Sequence, residues 1–196
     1  DKAFEAIKII GVIAAVVLGG RTLLRPLLRA IAKSGTPEIF TAAALLNWGA
    51  SFASDSVKSQ LDNQNISFPA AEAMPEATKA QLAKWSEMKV TTGEMARDYS
   101  DLYIWEHMKA SAVGTIGKEA TYSEVSGMYM GLVRGGSTDT AEIAKLGELR
   151  QTLFMGNTLR GMLLQAYAFG TLGVIAGYSA IAALVGGVLM LLLSIA

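Results

Sequence analysis

Apolar segments lie towards the two ends of this sequence and flank a long segment of mixed polarity. Residues 161–196 contain no Asp, Glu, Lys, Arg or His. Residues 3–20 form another apolar segment, interrupted only by Glu5 and Lys8, and residues 39–53 are uncharged. Because about 20 apolar residues span the hydrocarbon core of a bilayer, the pattern predicts an integral membrane protein.

The segment between residues 54 and 158 has the alternation of charges, apolar positions and turns that is typical of water-facing helices. Two helix starts are predicted where Thr91 precedes Glu94 and where Thr121 precedes Glu124, since such pairs form capping boxes. A short helix is predicted from Asp55 to Gln64, and another from Pro75 to about Lys89. No alternating pattern of useful length indicates a strand. The sequence therefore predicts an all-α fold with a helical extramembrane domain.

The last predicted helix begins at a cap near Thr138 or Asp139. An apolar stripe at helical spacing then follows, formed by Ile143, Leu146, Leu149 and Leu153. This spacing places the side chains on one face, where they can pack against neighbouring helices. No helix-breaking residue separates this stripe from the C-terminal apolar run, so we expect one long helix that enters the membrane.

A basic segment sets the predicted topology. Its cations recur every four residues and share one helical face: Arg21, Arg25, Arg29 and Lys33. Such a face is typical of an interfacial helix on the cytoplasmic side, where it binds the membrane surface or, alternatively, anionic lipid specifically. Together with the apolar segments at residues 3–20, 39–53 and 161–196, this basic segment predicts a multi-pass protein of the plasma (inner) membrane with about three transmembrane helices.

The predicted domain organisation has three parts. Residues 1–53 form an N-terminal membrane region, with a span at 3–20, the interfacial helix at 21–34 and a short span at 38–53. Residues 54–158 form a helical extracytoplasmic domain, and residues 159–196 form a C-terminal helix and transmembrane span. If the short span does not cross the membrane, the helical domain lies in the cytoplasm instead.

Small residues recur along the C-terminal run. Gly173 and Gly177 form a G-x-x-x-G pair, and Ala183 and Gly187 form a second small pair. Small residues four apart let membrane helices approach closely. We therefore predict helix packing through these residues, either within the chain or between chains.

The composition disfavours several kinds of chemistry. The 196 residues include no cysteine and one histidine, and the 17 Lys and Arg balance the 17 Asp and Glu. Thiolate sites and histidine pairs are therefore excluded, and nucleic acid is not an expected partner. The acidic residues around His107 (Asp98, Asp101 and Glu106) are interpreted as a solvated helix face rather than a metal site. We predict no enzymatic activity and no cofactor.

Methionine and aromatic side chains leave one alternative open. A lipid or quinone pocket, or simply core packing, would account for Trp85, Tyr122, Met128, Tyr129, Met130 and Met155.

Two parts of the chain resemble known families. The segment GRTLLRPLLRAIAKSGTPEIFTAAALL (20–46), within residues 8–46, is similar to a membrane segment of Kef-type potassium/proton antiporters. That resemblance implies helices of transporter origin, although the acidic ion-binding positions of those antiporters have no counterpart here.

Residues 47–196 resemble small uncharacterised actinobacterial membrane proteins, often labelled ring-opening dioxygenase-like. The resemblance rests on segments such as VTTGEMARDYSDLYIWEHMKA (90–110) and TLRGMLLQAYAFGTLG (158–173). It implies a helical domain between two membrane helices and brings no activity or cofactor. The two patterns meet near residues 46–47, so we expect a fusion or missing residues there. We also expect a longer chain, because the sequence lacks an initiating Met.

These observations support three hypotheses. The first is a non-enzymatic accessory or scaffold subunit of a larger membrane complex, with protein partners or self-association through its small-residue faces. The second is a transport protein, or a fragment of one, related to monovalent cation:proton antiporters. The third is a lipid- or quinone-binding membrane module.

Overall fold

The computed structural model describes the backbone of residues 37–195 and the side chains of residues 38–192. This part of the chain is all-helical, with one isolated β-bridge between Ser67 and Lys89, so the predicted fold class is confirmed for it. Its α-helices are α1 (Pro37–Gln64), α2 (Lys79–Leu82), α3 (Gly93–Asp98), α4 (Trp105–Ile116), α5 (Tyr122–Arg134) and α6 (Thr140–Ile195). A π-helix (Tyr99–Ile104) joins α3 to α4, and 3-10 turns lie at Ala71–Ala73 and Ala83–Trp85.

Helix α1 is one unbroken helix of 28 residues. It begins at Pro37, where the missing N–H of proline is harmless, and Glu38 places a negative charge near the positive end of the helix dipole. The short helix expected from Asp55 to Gln64 is therefore only its last part. The helix ends at Asn65, which adopts a positive φ of 52°, a conformation that asparagine tolerates better than most residues.

Helix α6 extends over 56 residues, as one long helix was expected to do. Asp139 caps its first turn, since its side-chain Oδ1 accepts a hydrogen bond from the backbone N–H of Glu142 at 3.0 Å. Among the described helices, α6 is long and apolar enough to cross a membrane, with a mean hydropathy of 2.2 over its most apolar 18-residue window. Large apolar side chains such as Leu172, Ile181 and Leu192 are at least 60% exposed there.

The chain divides into two compact units, and the described part of the first consists of residues 37–50 and 175–195. A Cβ placed on Gly187 would lie 3.0 Å from the ring of Phe40, and one placed on Gly177 would lie 3.7 Å from the Cβ of Ala50. Because the later glycine meets the earlier partner, the two helical segments run antiparallel. Small side chains on α6 allow this approach.

The second unit, Ser51–Val174, contains two hydrophobic clusters. The first joins α1, α3 and the intervening loop to α6, through Val57, Leu61, Phe68, Met74, Leu82, Val90, Met95, Ala96 and Leu163. The second joins α4 and α5 to the start of α6, through Met108, Ala112, Val125, Leu146, Leu149 and Leu153. The stripe predicted on the last helix therefore does pack against neighbours, since its three leucines are almost fully buried.

The two predicted capping boxes have different outcomes. At α5 the box is confirmed: Thr121 Oγ1 accepts from the N–H of Glu124 at 3.3 Å, and the Glu124 carboxylate accepts from the N–H of Thr121 at 2.7 Å. At α3 the prediction of Thr91 as the cap is wrong. Thr92 caps that helix by accepting from Met95 N–H at 3.2 Å, and Glu94 forms an ion pair with Lys84 instead.

The helix expected from Pro75 to Lys89 is confined to α2 and the 3-10 turn that follows it. Beyond this turn the chain pairs with the earlier loop. The N–H of Phe68 donates to the carbonyl of Met88, and the N–H of Val90 donates to the carbonyl of Ile66, both at 2.9 Å. These bonds between distant segments override the local helical pattern of residues 86–90.

Helix α3 and α6 touch backbone to backbone at a pair of glycines. A Cβ on Gly93 would lie 3.0 Å from Tyr167 Cα and 3.1 Å from the carbonyl oxygen of Ala166. A Cβ on Gly170 would lie 3.3 Å from Gly93 Cα. The neighbouring atoms are backbone atoms and cannot rotate away, so only glycine at position 93 permits this contact without a shift of the helices.

We expect Gly93→Ala to lower the free energy of unfolding by about 1–3 kcal/mol, because the added methyl group overpacks this contact. Thermal unfolding of the detergent-solubilised chain, followed by far-UV circular dichroism, measures the change. The matched control is Gly131→Ala on α5, where a Cβ meets no atom within 4 Å. That control should be neutral or stabilising by about 0.5–1 kcal/mol. Equal losses in both variants would contradict the proposed close contact.

Candidate functional site

A buried carboxylate lies at the end of α3. Asp98 is 4% exposed, and both of its oxygens accept hydrogen bonds. Trp85 Nε1 donates to Oδ2 at 2.9 Å, and the Arg97 guanidinium donates to Oδ1 from Nε at 3.0 Å and from Nη2 at 2.7 Å. Lys84 Nζ lies 3.2 Å from Oδ2. A buried charge is tolerated when it is paired in this way.

The pairing determines the ionisation of Asp98. Burial opposes the charged form most strongly, but the hydrogen bonds from Trp85, Arg97 and Lys84 together outweigh it and hold the pKa of Asp98 below its usual value. The carboxylate is therefore ionised at neutral pH and fully occupied by donors. It joins the 3-10 turn at residues 83–85 to α3, and its chemistry is that of an anchor rather than of a general base.

Lys84 connects this anchor to the first turn of α3. Its Nζ donates to the Glu94 carboxylate at 3.0 Å and lies 4.4 Å from the centre of the Trp85 ring. The hydrogen bond to Glu94 raises the pKa of Lys84 above its usual value. The ammonium group is half-exposed, so solvent screens these interactions and each contributes modestly to stability.

The π-helix between α3 and α4 is held by side chains from other segments. Widening an α-helix locally to π geometry disturbs the regular i to i−4 ladder, and such bulges often occur at functional sites. Here the carbonyl oxygen of Ser100 accepts from Arg160 Nε at 3.2 Å, and that of Leu102 accepts from Thr78 Oγ1 at 2.7 Å. These donors satisfy backbone oxygens within the π-helix.

Arg160 supplies the link between the π-helix and α6. Besides its bond to the Ser100 carbonyl, its Nη2 donates to Asp101 Oδ1 at 2.9 Å. Its guanidinium also lies 4.5 Å from the centre of the Trp105 ring. The planar guanidinium group suits this combination of two directed hydrogen bonds and an aromatic face, which lysine could not reproduce.

A polar cavity of about 520 Å³ adjoins these ion pairs. It is lined by Gln81, Lys84, Arg97, Asp98, Asp101 and Leu102. Asp98 is paired with both cations, and Asp101 is paired with Arg160. The charges thus neutralise one another and leave no uniform potential to attract an ion of one sign.

An apolar cavity of about 420 Å³ lies between α1 and α6 within the second unit. Its apolar lining comprises Phe52, Ala53, Val57, Leu61, Met162, Leu163, Ala166 and Phe169. Its polar lining is uncharged and comprises Ser56, Gln60, Gln64 and Gln165. The sequence by itself did not predict this site because its two halves, residues 52–64 on α1 and residues 162–169 on α6, are far apart in the sequence. The recurrence of glutamine on both apolar helices is the one signal that pointed to it.

The residues predicted from sequence to form sites are distributed differently. Arg21, Arg25, Arg29 and Lys33 lie outside the described residues. Gly173 and Gly187 are buried, and Ala183 is half-buried. Gly177 and Gly187 face α1 of the same chain, as described above. Packing between chains through this face stays a prediction.

The acidic residues around His107 each have a different neighbour. Asp98 and Asp101 bind the cations already named, Glu106 pairs with Lys109 at 2.7 Å, and the His107 ring lies edge-on to Tyr103 at 4.5 Å. Within the described residues, no cluster of three or more His, Asp or Glu side chains is placed to hold a metal ion.

The methionine and aromatic residues considered for a pocket lie outside the two cavities described above. Tyr122 and Tyr129 pack against the second hydrophobic cluster, beneath the Arg150 guanidinium. Met128 and Met155 are 38% and 51% exposed. None of these side chains lines either cavity. Core packing accounts for the tyrosines, whereas the two methionines lie at the surface.

Comparison with known proteins identifies one short segment. Over 43 residues, the chain is 51% identical to the glutathione-regulated potassium-efflux system protein KefC of Enterobacter sp. (strain 638). This segment is 22% of the present chain and 7% of that relative, which is consistent with the Kef-type resemblance of residues 8–46. No family model and no solved structure matches the chain.

The Asp98 anchor makes stability depend on pH in a defined direction. Because the pKa of Asp98 is lowered in the folded state, its contribution is complete above the unfolded pKa of about 4 and is lost as the pH falls through the lower, folded pKa. We expect Asp98→Asn to lower the free energy of unfolding at neutral pH by about 1–3 kcal/mol. The variant should also lose part of the decline in stability on acidification.

Chemical denaturation of the detergent-solubilised chain across the acidic range measures both effects. The control is Asp55→Asn, which neutralises an exposed carboxylate on α1 and should change little. An acid dependence that is the same in Asp98→Asn and in the unaltered chain would refute the assignment.

Proposed function

We propose that this chain is a multi-pass helical membrane protein that serves as a non-enzymatic accessory or scaffold subunit of a larger membrane complex. The observation that carries the proposal is the length of the exposed apolar surface on α6, which exceeds what a bilayer covers. Large apolar side chains that are at least 45% exposed recur from Phe154 to Leu192, although Leu163 between them is buried.

The lengths can be compared directly. The segment from Leu172 to Leu192 is about 31 Å long at 1.5 Å per residue, close to the thickness of the hydrocarbon core of about 30 Å. Phe154, Met155 and Leu159 precede this segment by more than three helical turns and are 51%, 51% and 45% exposed. We call these three exposed residues the α6 stripe; they are distinct from the buried stripe between Ile143 and Leu153 described above.

The α6 stripe needs a cover other than the hydrocarbon core. Contiguous apolar side chains at a protein surface are typical of contacts with other proteins. Aromatic residues and methionine are also enriched at the centres of such interfaces. A partner subunit that covers the α6 stripe is therefore the economical explanation, and the helical unit from Ser51 to Val174 would present that stripe to it.

The membrane arrangement belongs to the same proposal. Spans at 3–20 and 38–53, together with α6, would place residues 54–158 outside the cytoplasm of a bacterial inner membrane. Support comes from the exposed apolar half of α6, from the basic segment between Arg21 and Lys33, and from the similarity of one segment to a potassium-efflux protein. A helical domain between two spans is also what the resemblance of residues 47–196 to actinobacterial membrane proteins would imply, but the comparisons with known proteins match only a 43-residue segment.

A second candidate function is monovalent cation transport. It is favoured by the segment shared with a potassium-efflux system protein. The shared segment covers 7% of that relative, so it supports related membrane helices more directly than it supports antiport. Transport would be carried by the N-terminal region, where Glu5 and Lys8 place charges within an apolar segment.

The partner proposal predicts a complex that depends on the α6 stripe. In mild detergent, the chain from its native membrane should migrate as a stoichiometric assembly, and Met155→Ser combined with Leu159→Ser should release it. Native gel electrophoresis with mass spectrometry measures the assembly. The matched control is Gln151→Ser with Thr158→Ser, which alters exposed polar residues of the same helix.

Isolation of the unaltered chain without any partner would contradict the accessory role. Potassium flux in liposomes containing only this chain, abolished by Glu5→Gln, would then establish the transport candidate.

The topology can be tested because the chain contains no cysteine. A single cysteine at the exposed position Thr138, introduced as Thr138→Cys, should react with a membrane-impermeant maleimide in intact spheroplasts. Ser34→Cys, at the end of the basic segment, should react only after permeabilisation. If both positions are protected in intact cells, residues 38–53 do not cross the membrane and the helical unit is cytoplasmic.

A further inference from the structure

The apolar cavity between α1 and α6 has the size and composition of a ligand site. Its volume of about 420 Å³ falls within the range of roughly 300–1,000 Å³ that small-molecule sites occupy. Such sites combine mostly apolar walls with a few polar groups that orient the ligand. Here eight apolar residues and four uncharged polar residues line the walls.

The polar groups specify an uncharged ligand. The cavity is lined by no Asp, Glu, Lys, Arg or His. A phosphate or ammonium head group placed there would lose hydration without gaining a partner of opposite charge, which is costly. The amides of Gln60, Gln64 and Gln165 instead offer N–H donors and carbonyl acceptors to a neutral polar group.

The apolar walls favour a flat ring. Phe52 and Phe169 line the cavity, one from each helix, and Met162 lines it from the same helix as Phe169. Aromatic rings pack favourably against other rings, and methionine sulfur makes favourable contacts with ring edges. An acyl chain alone would use neither these rings nor the amides.

The position of the cavity along both helices suits a membrane-soluble ligand. On α1, its residues begin with Phe52 and Ala53, at the end of the uncharged segment 39–53, and continue to Gln64. On α6, its residues from Met162 to Phe169 directly precede the apolar segment that begins at Leu172. The cavity is therefore next in sequence to the part of α6 that is long and apolar enough to cross a membrane, which suits a ligand that carries a hydrocarbon tail.

We propose that this cavity binds the ring of an isoprenoid quinone, with the amides of Gln60 and Gln165 donating hydrogen bonds to the quinone carbonyls. The ring packs against the two phenylalanines, and the tail extends into the lipid. This inference requires α6 to insert in the membrane, but it does not depend on a partner subunit. The site binds the quinone without any redox step.

The test uses the full chain in nanodiscs of phosphatidylcholine, with decylubiquinone as the probe. Isothermal titration calorimetry should show saturable binding of one quinone per chain. Gln60→Leu combined with Gln165→Leu removes both donors while retaining apolar walls, and it should raise the Kd about tenfold. Phe169→Leu should weaken binding by a smaller factor through loss of ring packing.

The control variant combines Gln151→Leu with Asn157→Leu. It removes two exposed amides of α6 outside the cavity and should leave the Kd unchanged. Circular dichroism of every variant verifies that the helices are intact. Absence of saturable binding to the folded chain would overturn the proposal, as would an unchanged Kd in the double glutamine variant.

Diacylglycerol serves as the competing neutral lipid in the same nanodiscs. Displacement of decylubiquinone at equal concentration would overturn the assignment to a ring, because both ligands carry carbonyl groups but only one carries the quinone ring. Loss of the larger complex on altering the α6 stripe would leave quinone binding intact. Failure of either proposal is thus distinguishable from failure of the other.

Discussion

The helical unit depends on how the segment from α3 to α4 docks on α6. Two contacts hold it: the glycine approach at Gly93 and Gly170, and the Arg160 guanidinium on the π-helix. The glycines set the distance between the backbones, and the arginine fixes the position along the helix because its two hydrogen bonds have defined directions. The hydrophobic clusters on either side then fill the space that this docking defines.

The π-helix follows from the same constraint. An α-helix carried from Gly93 to Ile116 without interruption would keep its carbonyls within its own ladder. In the wider turn, Ser100 and Leu102 present carbonyl oxygens to Arg160 and Thr78. The local cost of π geometry is offset by these bonds between distant segments and by the burial of Ser100, which is 0% exposed. Asp98, one turn earlier, adds a satisfied buried charge that restricts the preceding loop to one arrangement.

The outer surface of α6 differs from the interior of the helical unit in leaving large apolar side chains exposed. Inside the unit, the buried carboxylate of Asp98 is paired with Lys84 and Arg97, and two apolar clusters fill the interior. Outside, α6 keeps large apolar side chains exposed over a length that exceeds the hydrocarbon core of a bilayer. The part beyond the core is divided between the α6 stripe and the cavity shared with α1. We propose that a partner subunit covers the α6 stripe and that a quinone ring occupies the cavity. Both of these partners would be found in a membrane.

The sequence by itself determined the features that arise from neighbouring residues. The all-helical character, the box of Thr121 with Glu124, the cap at Asp139 and the unbroken α6 all depend on groups within one or two helical turns. A run without charges likewise specifies an apolar helix wherever it folds.

The tertiary structure decided what depends on residues far apart in the chain. Glu94 forms an ion pair with Lys84 instead of the expected capping box with Thr91. Residues 86–90 form backbone hydrogen bonds with the loop containing Phe68 instead of continuing a helix. The π-helix exists because Arg160 and Thr78 reach it, and the cavity exists because α1 and α6 meet. Local patterns contain no record of such partners, since periodicity identifies the buried face of a helix but not the side chain that will contact it.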